Sequence, residues 1–201
     1  MKKSLLTVAA AILLSAGLQA QTSYGIKAGL NFSKLRVSAG DISATSDAST
    51  NFYVMGYVDA PISPVFSFQP GLSLQGKGGK TTQSYGTRQT GSINVMYLEV
   101  PLNFVYYIPA GPGKVFLGAG PYAGIGLRSK GKVDKLSVNI GFDDDGFNRF
   151  DAGANFLAGY KLANGFMLNG GYSFGLTNLA KDSDDASLKN RVISVGIGYQ
   201  F

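Results

Sequence analysis

The chain closes on Ile193-Ser194-Val195-Gly196-Ile197-Gly198-Tyr199-Gln200-Phe201, a stretch in which every second residue is apolar and large. Ile193, Val195, Ile197, Tyr199 and Phe201 share one face of an extended segment, while Val192, Ser194, Gly196, Gly198 and Gln200 share the other. A helix would scatter these sets around its circumference; a strand separates them, because its side chains alternate. The segment before it repeats the rule, with Phe166, Leu168, Tyr172, Phe174 and Leu176 against Met167, Asn169, Gly171, Ser173 and Gly175. So do 150–162, 115–128, 96–108 and 66–75, and less cleanly 51–62 and 24–33. Eight strands are predicted.

Their connections alternate in length. Ser63-Pro64, Pro109 to Gly113 and Ala163-Asn164-Gly165 carry the Pro, Asn and Gly of tight turns. The stretches 34–50, 77–91, 129–148 and 177–189 are long and polar. Short turns on one rim and long loops on the other is the layout of an outer-membrane barrel.

The two faces say which side is wet. One carries large apolar groups and no charge along the strand middles. The other carries Gly, Ser, Asn and Gln, together with Lys27, Asp59, Glu99, Arg128, Asp151 and Lys161. Eight strands enclose an interior only wide enough to be filled by side chains, and this many Phe, Tyr and Leu would overfill it. A charge facing lipid would cost roughly 2–4 kcal/mol at the midplane, whereas opposite charges inside can pair and hydrogen-bond. The expectation is therefore an all-β, eight-stranded antiparallel up-and-down transmembrane barrel with those six residues as a structural polar cluster in its lumen. Glu99 is expected to pair with Arg128 on the neighbouring strand, or with Lys27 or Lys161. Tyr24, Phe66, Phe68, Tyr106, Tyr160, Phe166, Tyr199 and Phe201 gather near the short-turn rim, and Phe32, Phe52, Phe150 and Phe174 near the long-loop rim. Two aromatic girdles follow.

Composition removes many activities. The 201 residues include 28 Gly, 45% hydrophobic and 15% charged residues, and no Cys, Trp or His. Without Cys there is no disulfide, thiol nucleophile or lipid-modified cysteine anchor. Without His the commonest general base and metal ligand are missing. Residues 1–20 read as a signal peptide: Lys2 and Lys3, a short apolar run from Leu5 to Leu14, and Ala20 before a cut ahead of Gln21. Residues 21–201 are then the barrel. Losing Lys2 and Lys3 lowers the formal charge from +6 to +4, and without a basic-aromatic cluster no nucleic-acid partner is expected.

Three motif matches are better explained by the strand pattern. Gly71-Leu72-Ser73-Leu74-Gln75-Gly76-Lys77 begins like a phosphate loop, but Gly78 stands where Ser or Thr should be and no helix follows. Gly118-Ala119-Gly120-Pro121-Tyr122-Ala123 lacks the strand-turn-helix setting of a dinucleotide fingerprint. Asp143-Asp144-Asp145-Gly146 lacks the spacing of an EF-hand loop, and with Asp182, Asp184 and Asp185 reads as solvated loop. No catalytic residue, cofactor or metal ligand is expected.

Tyr97-Leu98-Glu99-Val100-Pro101, Asp151-Ala152-Gly153, Gly171-Tyr172-Ser173-Phe174-Gly175-Leu176 with Asn178, and Gly196 to Phe201 resemble the small outer-membrane barrels common in Bacteroidetes, the PorT-like/OmpX-like barrel family. The resemblance covers essentially all of 21–201. It implies the outer membrane, and it makes Ile197, Tyr199 and Phe201 resemble the C-terminal signal read by barrel-assembly machinery. The expected role is non-enzymatic, in envelope structure or surface interaction through extracellular loops. Outer-membrane lipid or lipopolysaccharide, the assembly machinery and an envelope protein are the expected partners. An accessory subunit of a secretion or gliding system and a narrow ion or solute channel are the alternatives.

Overall fold

Alternation over so many residues leaves the backbone one way to satisfy its hydrogen bonds in hydrocarbon, which is lateral pairing closed on itself. The computed structural model describes residues 22–40, 42–85, 87–133, 136–139, 141–142, 148–180 and 186–201. The signal segment with its cut ahead of Gln21, the Asp143–Asp145 triplet, and Asp182, Asp184 and Asp185 lie outside them. Every described regular element is a strand: β1 (Ser23–Ala39), β2 (Ile42–Thr45), β3 (Ser49–Ser63), β4 (Phe66–Tyr85), β5 (Thr87–Ala110), β6 (Gly113–Val133), β7 (Leu136–Asn139), β8 (Phe150–Leu162), β9 (Phe166–Gly175) and β10 (Ala186–Gln200).

These ten occupy eight positions around a closed antiparallel ring. β2 pairs with β1 where β3 leaves off, and β7 pairs with β6 beyond the end of β8. Each is the outward continuation of the strand that follows it, interrupted by an insertion. Pairing of β1 with β10, from Gly25–Gln200 to Ala39–Ala186, closes the barrel.

The short turns lie where the sequence places them, and Gly111 and Gly165 adopt the positive φ of 57° and 90° that favours glycine there. The long connections differ from expectation. Residues 77–91 are mostly not loop: β4 and β5 run 20 and 24 residues and pair as far as Tyr85–Thr87. About 10 tilted residues cross the apolar band, and a tilted strand climbs about 2.5 Å per residue. β4 and β5 end on one rung, Tyr85–Thr87, roughly 25 Å beyond it, and β6 ends about 10 Å lower, where Val133 faces Gly91.

The apolar stripe faces outward. Leu30, Phe52, Leu74, Phe104, Leu117, Phe156, Leu168 and Ile197 are each 41–58% exposed. Asn31, Gln69, Ser73, Glu99, Asn103 and Asp151 are buried on the axis.

Candidate functional site: the plugged lumen

The inner face is built from small residues beside large ones. A Cβ on Gly25 would overlap the Tyr57 ring, and one on Gly159 would overlap Phe116. Tyr53, Tyr57, Tyr122 and Phe116, all buried, lie across such gaps, against Gly29, Gly25, Gly153 and Gly159. The glycines are what let aromatic rings lie flat against the wall of so narrow a tube.

Toward the long-loop end, Lys77 bridges two carboxylates. Its Nζ lies 2.5 Å from Glu99 Oε1 and 3.1 Å from Asp151 Oδ2. The three side chains are 2%, 4% and 0% exposed. Asp151 Oδ2 also accepts from Asn190 Nδ2 at 2.9 Å and from the Tyr122 hydroxyl at 3.3 Å. The ammonium sits 4.1 Å from the centre of the Tyr122 ring, a cation–π contact away from bulk water. Five strands, β4, β5, β6, β8 and β10, are thereby tied across the axis.

A second network closes the short-turn end. Asp59 accepts from Gln69 Nε2 (3.0 Å), Gln200 Nε2 (2.9 Å) and the Tyr107 hydroxyl (3.3 Å). Gln69 also donates to Tyr107 at 2.8 Å, and Lys161 Nζ donates to Gln200 Oε1 at 2.9 Å. Lys27, buried just above, places its Nζ 4.4 Å from the Tyr57 ring centre and 5.5 Å from that of Phe116. Between the two networks, Asn31 donates to Gln75 Oε1 (2.7 Å) and Tyr53 to Asn169 Oδ1 (2.7 Å). A cavity at this level, bordered by Asn31, Tyr53, Gln75, Asn103 and Asn169, holds about 70 Å³, roughly two water volumes. The mouths are wider, about 670 Å³ at the long-loop end and 490 Å³ at the other.

Of the six residues expected in the lumen, Lys27, Asp59, Glu99 and Asp151 are buried there, and Lys161 reaches in at the short-turn mouth. Arg128 is not there. The β5–β6 register slips between Met96 and Tyr97, so Met96 faces Arg128 while Tyr97 faces Gly126. Leu127 is the extra residue of a β-bulge. It reverses the alternation, so Leu127 and Arg128 both point outward and Ser129 turns in, 2% exposed. Glu99 therefore pairs with Lys77, which sequence reading leaves in a loop. Lys77 shares parity with Gln69, Ser73 and Gln75, and extending the period two residues past Gln75 would have found it. Ile197, Tyr199 and Phe201 line the outer face, 53%, 41% and 71% exposed, with the Tyr199 and Phe201 rings edge to face at 5.1 Å.

Residues 19–181 match the outer membrane protein β-barrel domain family, and the chain belongs to it. The outer membrane is its compartment. No curated protein matches the sequence. Among solved structures, the chain is similar to the attachment invasion locus protein Ail of Yersinia pestis, with 15% identity, coverage of 89% of this chain and 98% of that one, and a TM-score of 0.44. It is similar to Neisserial surface protein A, with 15% identity, 90% and 99% coverage and a TM-score of 0.44. OprG of Pseudomonas aeruginosa gives 11% identity, 89% and 95% coverage and a TM-score of 0.45. Nothing functional follows from likenesses of this size.

Proposed function

We propose that this outer-membrane β-barrel is a non-enzymatic envelope protein, plugged along its axis, that acts through its long-loop end on the outside of the cell. The observation that carries the reading is the pair of buried polar networks. A solute would have to break the Lys77 bridge to Glu99 and Asp151, then the hydrogen bonds converging on Asp59. The tall β4–β6 wall supports a surface role, since a strand wall holds a binding edge more rigidly than loops do. The narrower kinship with PorT-like barrels, and the part of Ile197, Tyr199 and Phe201 as an assembly signal, belong to the same proposal.

Purified mature protein in a planar bilayer is expected to give no steady conductance, and a reproducible open level would defeat the plugged reading. Orientation has its own test, because the chain contains no Cys. A Ser43→Cys variant should react with a membrane-impermeant maleimide on intact cells, and protection until lysis would put the long loops inside. The accessory-subunit alternative requires a stoichiometric partner to co-purify from solubilised outer membrane.

A further inference from the structure

The charges outside the lumen are distributed unevenly. On β1, Lys34 and Arg36 follow Phe32 on the outward face, and on β10, Arg191 and Lys189 precede Ile193 on the same face. The register sets Lys34 directly against Arg191 and Arg36 directly against Lys189. Such partners have Cα atoms about 4.5–5.5 Å apart, and like charges so placed destabilise a sheet. Among the described residues no carboxylate forms an ion pair with any of the four. Arg191 spends one guanidinium nitrogen on the Gly175 carbonyl and lies 5.5 Å from the Phe174 ring. Among the described residues the other three have no such contact. On the opposite wall the Leu127 bulge turns Arg128 and Lys130 outward in a second row, while Lys132 borders the long-loop mouth. At the short-turn end Lys114 and Lys161 instead turn to the mouth, lining it beside Tyr107.

The height of the ladder selects its occupant. Lys34 stands one outward rung, about 5 Å, above the girdle residue Phe32, and Arg191 pairs across β9 with the girdle residue Phe174. These side chains face the lipid laterally at head-group depth, where a soluble protein would dock only by displacing lipid. We propose that Lys34, Arg36, Lys189 and Arg191 form a binding site for the phosphate groups of outer-leaflet lipid. Arg128 and Lys130, on the far side of the barrel, form a second, separate arc of a partial collar. An anion between the rungs turns a like-charge repulsion into two charge-assisted contacts. The inference rests on the long loops facing outward, as proposed above.

The test uses mature chain refolded into phosphatidylcholine vesicles containing either diphosphoryl lipid A or its dephosphorylated form. The readout is the share of a spin-labelled lipid of each kind held at the protein boundary, measured at low and high salt. Phosphorylated lipid should be preferred at least about fivefold, the worth of one interfacial cation near an anionic surface, and the preference should collapse in high salt. The K34Q/R36Q/K189Q/R191Q variant should lose most of it, and Lys114→Gln should lose none. If the fourfold variant does not insert, K34Q/R191Q and the salt series on the native chain decide. Equal holding of the two lipids by the native chain overturns the proposal, as does a preference that survives the substitutions. So does loss of the preference to added inorganic phosphate at constant ionic strength, which would mean a free-anion site. Silent bilayers with no lipid preference would defeat the collar and leave the plug standing; conductance with lipid preference intact would do the reverse.

Discussion

Lys77→Ala is the sharpest probe of the plug. The substitution deletes the cation that bridges Glu99 and Asp151 and leaves two carboxylates facing one another in a space closed to water. Removing one partner of a buried ion pair typically costs about 3–5 kcal/mol. Asp151 keeps Asn190 and Tyr122 as donors, which places the expected loss toward the lower end, about 3 kcal/mol. Glu99→Ala should cost less, about 1–2 kcal/mol, because Lys77 retains Asp151 as a partner. Replacing all three charges together, K77M/E99L/D151L, should restore much of the stability, since apolar groups of similar volume often match a buried charge cluster. The assay is equilibrium urea unfolding of refolded barrel in detergent, followed by strand circular dichroism because the chain has no Trp. If K77A lies within about 0.5 kcal/mol of wild type, the range of an ordinary surface change, the bridge is not a stabilising feature and the argument for a plug fails.

Other predictions follow from the same geometry. Arg128→Ala should shift stability by less than about 0.5 kcal/mol in the same assay; a loss like that of K77A would return Arg128 to the lumen. Gly159→Val should destabilise by about 1–3 kcal/mol through overpacking, since its side chain would enter the space of the Leu168 carbonyl and the Phe116 ring; an unchanged urea midpoint would refute the close approach of strand and ring at this glycine. Asp59→Asn keeps the shape of the short-turn network but turns one of its two accepting oxygens into an NH2 that faces existing donors, so a loss of about 1–3 kcal/mol is expected. Phe201→Ala should lower the folded barrel recovered from outer membranes several-fold while leaving in vitro stability nearly unchanged, because the ring is exposed and touches mainly Tyr199. Equal recovery would remove the assembly role.

Much of this architecture is written in the period of two. The facing of Tyr199, Phe174 and Leu102 toward lipid, and of Glu99 and Asp151 toward the axis, needs only alternation and the volume of an eight-stranded tube. Three features escape such reading. Where a strand stops is invisible in 77–91, because Gly, Lys, Thr and Gln suit an exposed strand above the membrane as well as a loop. A bulge leaves no mark at Leu127, since an inserted residue changes phase without changing composition. The partners of Asp151 come from β4, β6 and β10, and one strand's sequence does not say which side chains meet at a given height across the axis. The packing of Tyr53, Tyr57 and Tyr122 over neighbouring glycines likewise depends on register.

That single inserted residue has a mechanical reach beyond its own rung. With Leu127 excised, the upper third of β6 would rotate by half a turn of the pleat. Arg128 and Lys130 would swing toward the apolar cup framed by Leu35, Ile93 and Leu188, which Lys132 already borders, while Ser129 and Gly131 would be handed to the lipid boundary. The resulting barrel would keep its strand count and its girdles and yet be inside out along one stave. One codon's length in this strand therefore separates a wall that repels solvent traffic from one lined with positive charge.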